Sequence, residues 1–155
     1  MGHILEVDLM IFQIASAFLS VYFFTMLLEI PKKYAVYCAI TGGVNWWIYL
    51  VVMEMTGSSM SAAFFASLAV AVLSQIFARI QKTPVSVFLV AGILPTVPGG
   101  GIYRCVYYFI RNNSNQSSYY LLQTLKVAGA IAVAIFVTDS LFRFYQYYQN
   151  YKKTI

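Results

Sequence analysis

Four stretches of this sequence, Leu9 to Leu28, Ala35 to Met53, Met60 to Ala78 and Tyr120 to Leu141, are each apolar over about the 20 residues that an α-helix needs to cross a bilayer. That repetition constrains the fold more than any other feature. A soluble chain of 155 residues has room for one core and cannot hide so many long apolar segments at once. Charged residues make up 10% of the chain, against the roughly 25% that coats a soluble domain. The expectation is an all-α integral membrane protein, a single transmembrane domain over residues 1–155.

The ends of the runs carry their own stop signals. Glu29 and Pro31-Lys32-Lys33 close the first, Met55-Thr56-Gly57-Ser58 turns the second, Arg79 and Lys82 stop the third, and Arg143 with a Tyr-rich tail follows the last. The net charge of +5 comes from Lys and Arg placed at these ends, so it describes topology and not a nucleic-acid surface. The first run lacks the basic start of a secretory signal and carries Glu6 and Asp8 instead, so it is expected to remain as a membrane helix. Cys38 and Cys105 have no CxxC spacing and His3 lies in the N-terminal tail, so neither a metal site nor a disulfide framework is expected, and no cofactor is called for.

Residues 84–111 are different. A short apolar piece, Val85 to Leu94, runs into Pro95-Thr96-Val97-Pro98-Gly99-Gly100-Gly101, and a second helical piece continues to about Ile110. Proline removes an amide and clashes with the preceding turn, and glycine weakens what is left, so no continuous helix passes through this segment. Together the pieces are long enough for a fifth, broken span; the competing picture is a re-entrant hairpin. If the segment crosses, Lys32, Lys33, Arg79, Lys82, Arg143, Lys152 and Lys153 all fall on one side, against Arg111 on the other. If it is re-entrant, Arg111 joins the first group and Arg143, Lys152 and Lys153 leave it. The positive-inside rule prefers the crossing, which puts the N-terminus outside, the C-terminus in the cytoplasm and the loop Asn112 to Ser118 outside.

Small residues recur at helical spacing in two spans: Ser59, Ala63, Ser67, Ala71 and Gln75 in the third, and Lys126, Ala130, Ala134 and Thr138 in the last. Such rows, like Gly42-Gly43 in the second span, let backbones approach closely in lipid. Contact within the chain and contact with another subunit would both use them. No internal repeat is visible, and an odd number of spans fits no duplicated pair. A transporter with inverted symmetry would need its other half from a second chain.

A helix broken at membrane depth leaves backbone groups unpaired, and it persists only when protein or a watered cavity surrounds it. The second half-helix starts after three glycines, so its positive dipole end faces the membrane interior with no side chain in the way. An anion such as a carboxylate is the natural guest. Arg104 adds a full charge and a forked donor, and Thr96 and Tyr103 add neutral hydrogen bonds. The candidate substrate residues are therefore Thr96, Gly99, Gly100, Gly101, Tyr103 and Arg104. A kink that serves packing alone is the competing reading.

The stretch TPVSVFLVAGILPTVPGGGIYR, Thr83 to Arg104, resembles the signature of the threonine/serine exporter family, and more particularly of its small-subunit, two-component type. Ile30-Pro31-Lys32-Lys33 and Gly42-Gly43 fit the same pattern. The resemblance covers essentially the whole chain, with its specificity in the Pro-rich segment. Where members often have Asn, this chain has Glu29, a difference at a helix end. The resemblance implies secondary export of small carboxylate-bearing solutes, hydroxy amino acids or dicarboxylates such as succinate, across a bacterial cytoplasmic membrane, with a larger membrane subunit as partner.

Asp139 and Arg143, four residues apart near the end of the last span, read as an ion pair, with proton coupling at Asp139 as the sharper alternative. Lys126 is expected to snorkel outward. Asn45 and Gln13 are expected to bond between helices, Trp46 and Trp47 to pack in the core, and Tyr145, Tyr147, Tyr148 and Tyr151 to form an interfacial belt. No Ser/His/Asp, HExxH, GxSxG or P-loop pattern is present, so neither an enzyme nor an ATP-driven pump is indicated. A secondary exporter subunit, a pore and a membrane scaffold remain as function classes.

Overall fold

The computed structural model describes residues 2–154, with side-chain environments for residues 8–148. His3, Glu6, Tyr151, Lys152 and Lys153 lie outside the residues whose side chains are described. Helices α1 (Gly2–Leu27), α2 (Lys32–Thr56), α3 (Ser59–Gln81), α4 (Val85–Ile93), α5 (Gly99–Ile110) and α6 (Ser114–Thr154) follow one another, with a 3₁₀ turn over Leu94–Thr96 between α4 and α5. The protein is all-α, and α1, α2, α3 and α6 are each long and apolar enough to span a membrane. The α4–α5 pair passes the same test as one span broken by a 53° bend.

The connections are tight because each has a residue able to reverse the chain. Gly57 caps α2 at φ 63° and returns its amide to the Met53 carbonyl, after which Ser58 caps α3 by accepting from the Ser61 amide. Lys82 ends α3 in the left-handed region, and Pro84 follows at the N-cap of α4. Glu29 holds φ 54° at the end of α1, where the Ile30 amide reaches back to the Thr25 carbonyl at 3.0 Å. Asn tolerates this conformation better than Glu does.

Helix α3 is the centre, packed against α2, α4 and α6. Its expected row of small residues is buried from Ala63 through Ser67 and Ala71 to Gln75, and a second row of Ala62, Ala66, Val70, Ser74 and Ala78 is buried as well. The residues Ala130, Ala134 and Thr138 of α6 are buried too, so both rows serve contact within the chain. Gly42 lets α1 approach α2, since a Cβ there would run into Val21. Phe88, fully buried, gathers edge-to-face contacts from Tyr34, Tyr37 and Phe77.

Ala63 packs with Val127 and Ile131, Gln75 bonds to Asp139, and Arg79 lies 4.7 Å over the Phe142 ring. Residue numbers rise together along both helices, so α3 and α6 are parallel. The 53° bend leaves α4 and α5 running in the same general sense, so that α3 and α6 come out parallel.

Two expectations change. Helix α6 has 41 residues, about 60 Å at 1.5 Å per residue, twice the ~30 Å hydrocarbon thickness. It begins at Ser114, inside the segment expected as a loop, because Asn112 takes φ 57° and Asn113 Oδ1 accepts from the Gln116 amide at the new helix start. Trp47 is 51% exposed and faces outward, while its neighbour Trp46 stacks on Tyr49 and donates to Gln13 Oε1.

Candidate functional site at the helix break

The break sits at the level of Asn45, near the middle of α2 and hence near the middle of the bundle. Asn45 is fully buried; its Nδ2 donates to the Gly92 carbonyl at 2.8 Å and to Thr96 Oγ1 at 3.1 Å. Thr96 passes its own proton to the Ile93 carbonyl at 3.0 Å. Pro95 has no amide, so the last turn of α4 cannot close on itself, and these side chains take its place. Gly92 allows the close approach: a Cβ there would meet Thr41 Oγ1 at 2.6 Å and Val70 Cγ1 at 2.8 Å.

Beyond the break, α5 leans away and touches α6 alone, and none of its residues is buried. Tyr108 stacks on Tyr120 at 5.5 Å, and Ser117 Oγ donates to the Cys105 carbonyl at 2.9 Å. Gly101 meets α6 so closely that a Cβ would collide with Thr124 Oγ1. Between α2, the start of α3, the turn, α5 and α6 lies a cavity of about 240 Å³. Trp46, Tyr49, Thr96, Gly101, Arg104, Tyr120, Gln123 and Thr124 line it, with no acidic residue among the lining groups. The Arg104 guanidinium stands 5.5 Å over the Tyr120 ring. Among the described residues the one ion pair is Asp139 with Arg143, so Arg104 has no carboxylate partner.

The structure brings Thr96, Gly101 and Arg104 together. Thr96 is committed to Asn45 and Ile93, and Gly101 serves the α5–α6 contact. Gly99 and Gly100 border open space and do not line the cavity. Two first-turn amides are taken, Gly99 by the Val97 carbonyl at 2.7 Å and Gly101 by the Pro98 carbonyl at 3.1 Å, while Gly100 bonds to no backbone carbonyl. Tyr103 turns away, 69% exposed and stacked on Tyr107. Asp139 lies elsewhere: Arg143 Nε donates to Oδ2 at 2.7 Å and Gln75 Nε2 to Oδ1 at 3.3 Å. The residues that sequence reasoning did not place in the site are Trp46, Tyr49, Tyr120, Gln123 and Thr124. Asn45, expected to bond between helices, does so, to the end of α4 and to the turn.

The larger groove between α1, α2 and the turn, about 540 Å³, carries Gln13, Ser16 and Ser20 but no charged group. The smaller cavity offers an anion a forked donor, an aromatic wall and the polar ends of Gln123 and Thr124, while a separate groove of about 410 Å³ carries Lys126 among mostly apolar side chains.

A bundle of several long apolar helices with a broken helix pair at its middle is an arrangement that membrane transporters use. The family described as Threonine/Serine exporter, ThrE matches residues 13–141. The chain belongs to this family of membrane exporters, and it is a multi-pass membrane protein. No solved structure matches it.

Proposed function

We propose that the chain is one subunit of a secondary exporter that carries small carboxylate-bearing solutes out across the bacterial cytoplasmic membrane, the solute's carboxylate docking on Arg104. The observation that carries this reading is an arginine without a carboxylate partner, lining a cavity that borders the first turn of a half-helix. Arg104 is exposed, so its guanidinium is free to give a charge-assisted hydrogen bond, and a substrate carboxylate accepts it. Threonine- or serine-type amino acids and dicarboxylates such as succinate both fit the carboxylate requirement. The lining holds a cation and no acid, which favours solutes of net negative charge.

The other half of the transporter is a larger membrane subunit. Supporting this, α5 rests on α6 alone, and Gly99 and Gly100 face open space although broken backbone at membrane depth needs protein or water around it. The parallel run of α3 and α6 supports five crossings, and the distribution of Lys and Arg supports an N-terminus outside and a C-terminus in the cytoplasm. Efflux of labelled amino and dicarboxylic acids, measured with and without a co-expressed larger subunit, tests the assignment: flux needs both chains. Full transport by this chain alone in liposomes overturns it.

A further inference from the structure

The break has two poles. Helix α5 begins there with its positive end, and α4 finishes there with its negative end, which favours a cation. Independent of the dipole, two fully buried oxygens near the end of α4 have no partner: Asn45 Oδ1 and Ser67 Oγ. The orientation of the Asn45 amide is fixed chemically, because the Gly92 carbonyl can only accept and so must face Nδ2. The carboxamide oxygen is therefore the atom of the group left without a partner.

Ser67 stands on the same level. Gly92 is flanked by Thr41 on α2 and Val70 on α3. One turn further along the antiparallel pair, in the same direction, come Asn45 and Ser67. Ser16, Thr56, Thr124 and Thr138 each return their hydroxyl to the carbonyl four residues back. Ser67 does not, which leaves its oxygen available to something else. The turn adds two more acceptors, since the Pro95 and Thr96 carbonyls receive no backbone amide. All these groups are neutral oxygens that accept, and a hard monovalent cation is the guest whose chemistry matches such a set; at a broken span, freed carbonyls and half-helix C-termini hold alkali ions.

We propose that a sodium ion binds at the C-terminal end of α4, with Asn45 Oδ1 and Ser67 Oγ among its ligands. The ion neutralises a carboxylate held at the neighbouring α5 end, and it links solute binding to a cation gradient without calling on Asp139. The site uses the same break as the proposed solute cavity but does not depend on Arg104.

Direct binding of ²²Na⁺ to the purified full-length chain in detergent, without solute, tests it. Saturable binding is expected, displaced by unlabelled sodium and not by choline, and weakened about tenfold or more in Ser67→Ala. Alanine favours the helix, so that variant keeps the fold. Ser74→Ala removes the other orphaned hydroxyl, two turns further along α3 and away from the break, and is expected to bind as the parent does. Absence of saturable binding in the parent chain, or equal binding in Ser67→Ala, overturns the proposal. Because no solute and no flux enter the measurement, its failure leaves the Arg104 assignment standing.

Discussion

Asn45 Nδ2 donates to the Gly92 carbonyl across 2.8 Å, tying the middle of α2 to the last turn before the broken span. The same amide reaches Thr96, so one side chain holds both the end of α4 and the turn that follows. Replacing Asn45 by Leu removes both bonds and leaves a buried carbonyl unpaired. The expected loss is about 1–3 kcal/mol, seen as a lower thermal midpoint in detergent. Thr96→Val keeps the Asn45–Gly92 bond and is expected to cost less.

Gly101 and Gly100 differ in what surrounds them. Gly101→Ala places a Cβ against Thr124 Oγ1, whereas Gly100→Ala meets open space. Gly101→Ala is expected to loosen the α5–α6 hairpin and lower the thermal midpoint, with partial recovery in Gly101→Ala/Thr124→Ala. Gly100→Ala is expected to leave stability within about 1 kcal/mol of the parent, the span of the Gly–Ala helix difference.

Parallel α3 and α6 fix a relation between loops. A reporter fused after Lys153 is expected to read cytoplasm, and one placed between Asn112 and Asn113 to read the exterior. The reverse pattern, with the Asn112 reporter in the cytoplasm and the Lys153 reporter outside, would restore the re-entrant hairpin.

Asp139 is held by Arg143 and Gln75. As an exposed i, i+4 pair it stabilises the helix by about 0.3–0.5 kcal/mol, so Arg143→Gln is expected to leave both stability and efflux nearly unchanged. Asp139→Asn separates the two roles of the carboxylate. Efflux that keeps its dependence on external pH in this variant would take Asp139 out of proton coupling.

The break was legible because its cause is local: Pro95 and Pro98 lack amides wherever they stand. Burial of Ala63, Ser67, Ala71 and Gln75 was legible from helical spacing alone. Gly101 was not. As one of three consecutive glycines it read as ligand access, and only the register of α5 on α6 shows that it makes room for Thr124. Gly92 carries no mark in the sequence either, since its role arises from Thr41 and Val70 on two other helices. The apolar run Tyr120–Leu141 revealed the buried middle of α6, but its polar ends become helix through the Asn112–Asn113 turn, which hydropathy does not register. Trp47 shows the same limit: two adjacent tryptophans on a helix point about 100° apart, so both cannot face one neighbour.

Arg104 is the residue on which the functional account turns. Losing its charge-assisted bond to a carboxylate is worth about 1.5–3 kcal/mol, roughly ten- to a hundredfold in affinity. The most direct measurement is efflux of labelled threonine and labelled succinate from cells expressing Arg104→Gln with the larger subunit, at membrane abundance matched to the parent. The account predicts loss of efflux of the exported solute, with Arg143→Gln transporting as the parent does. Normal efflux in Arg104→Gln at matched abundance would contradict it and return the break to a packing role.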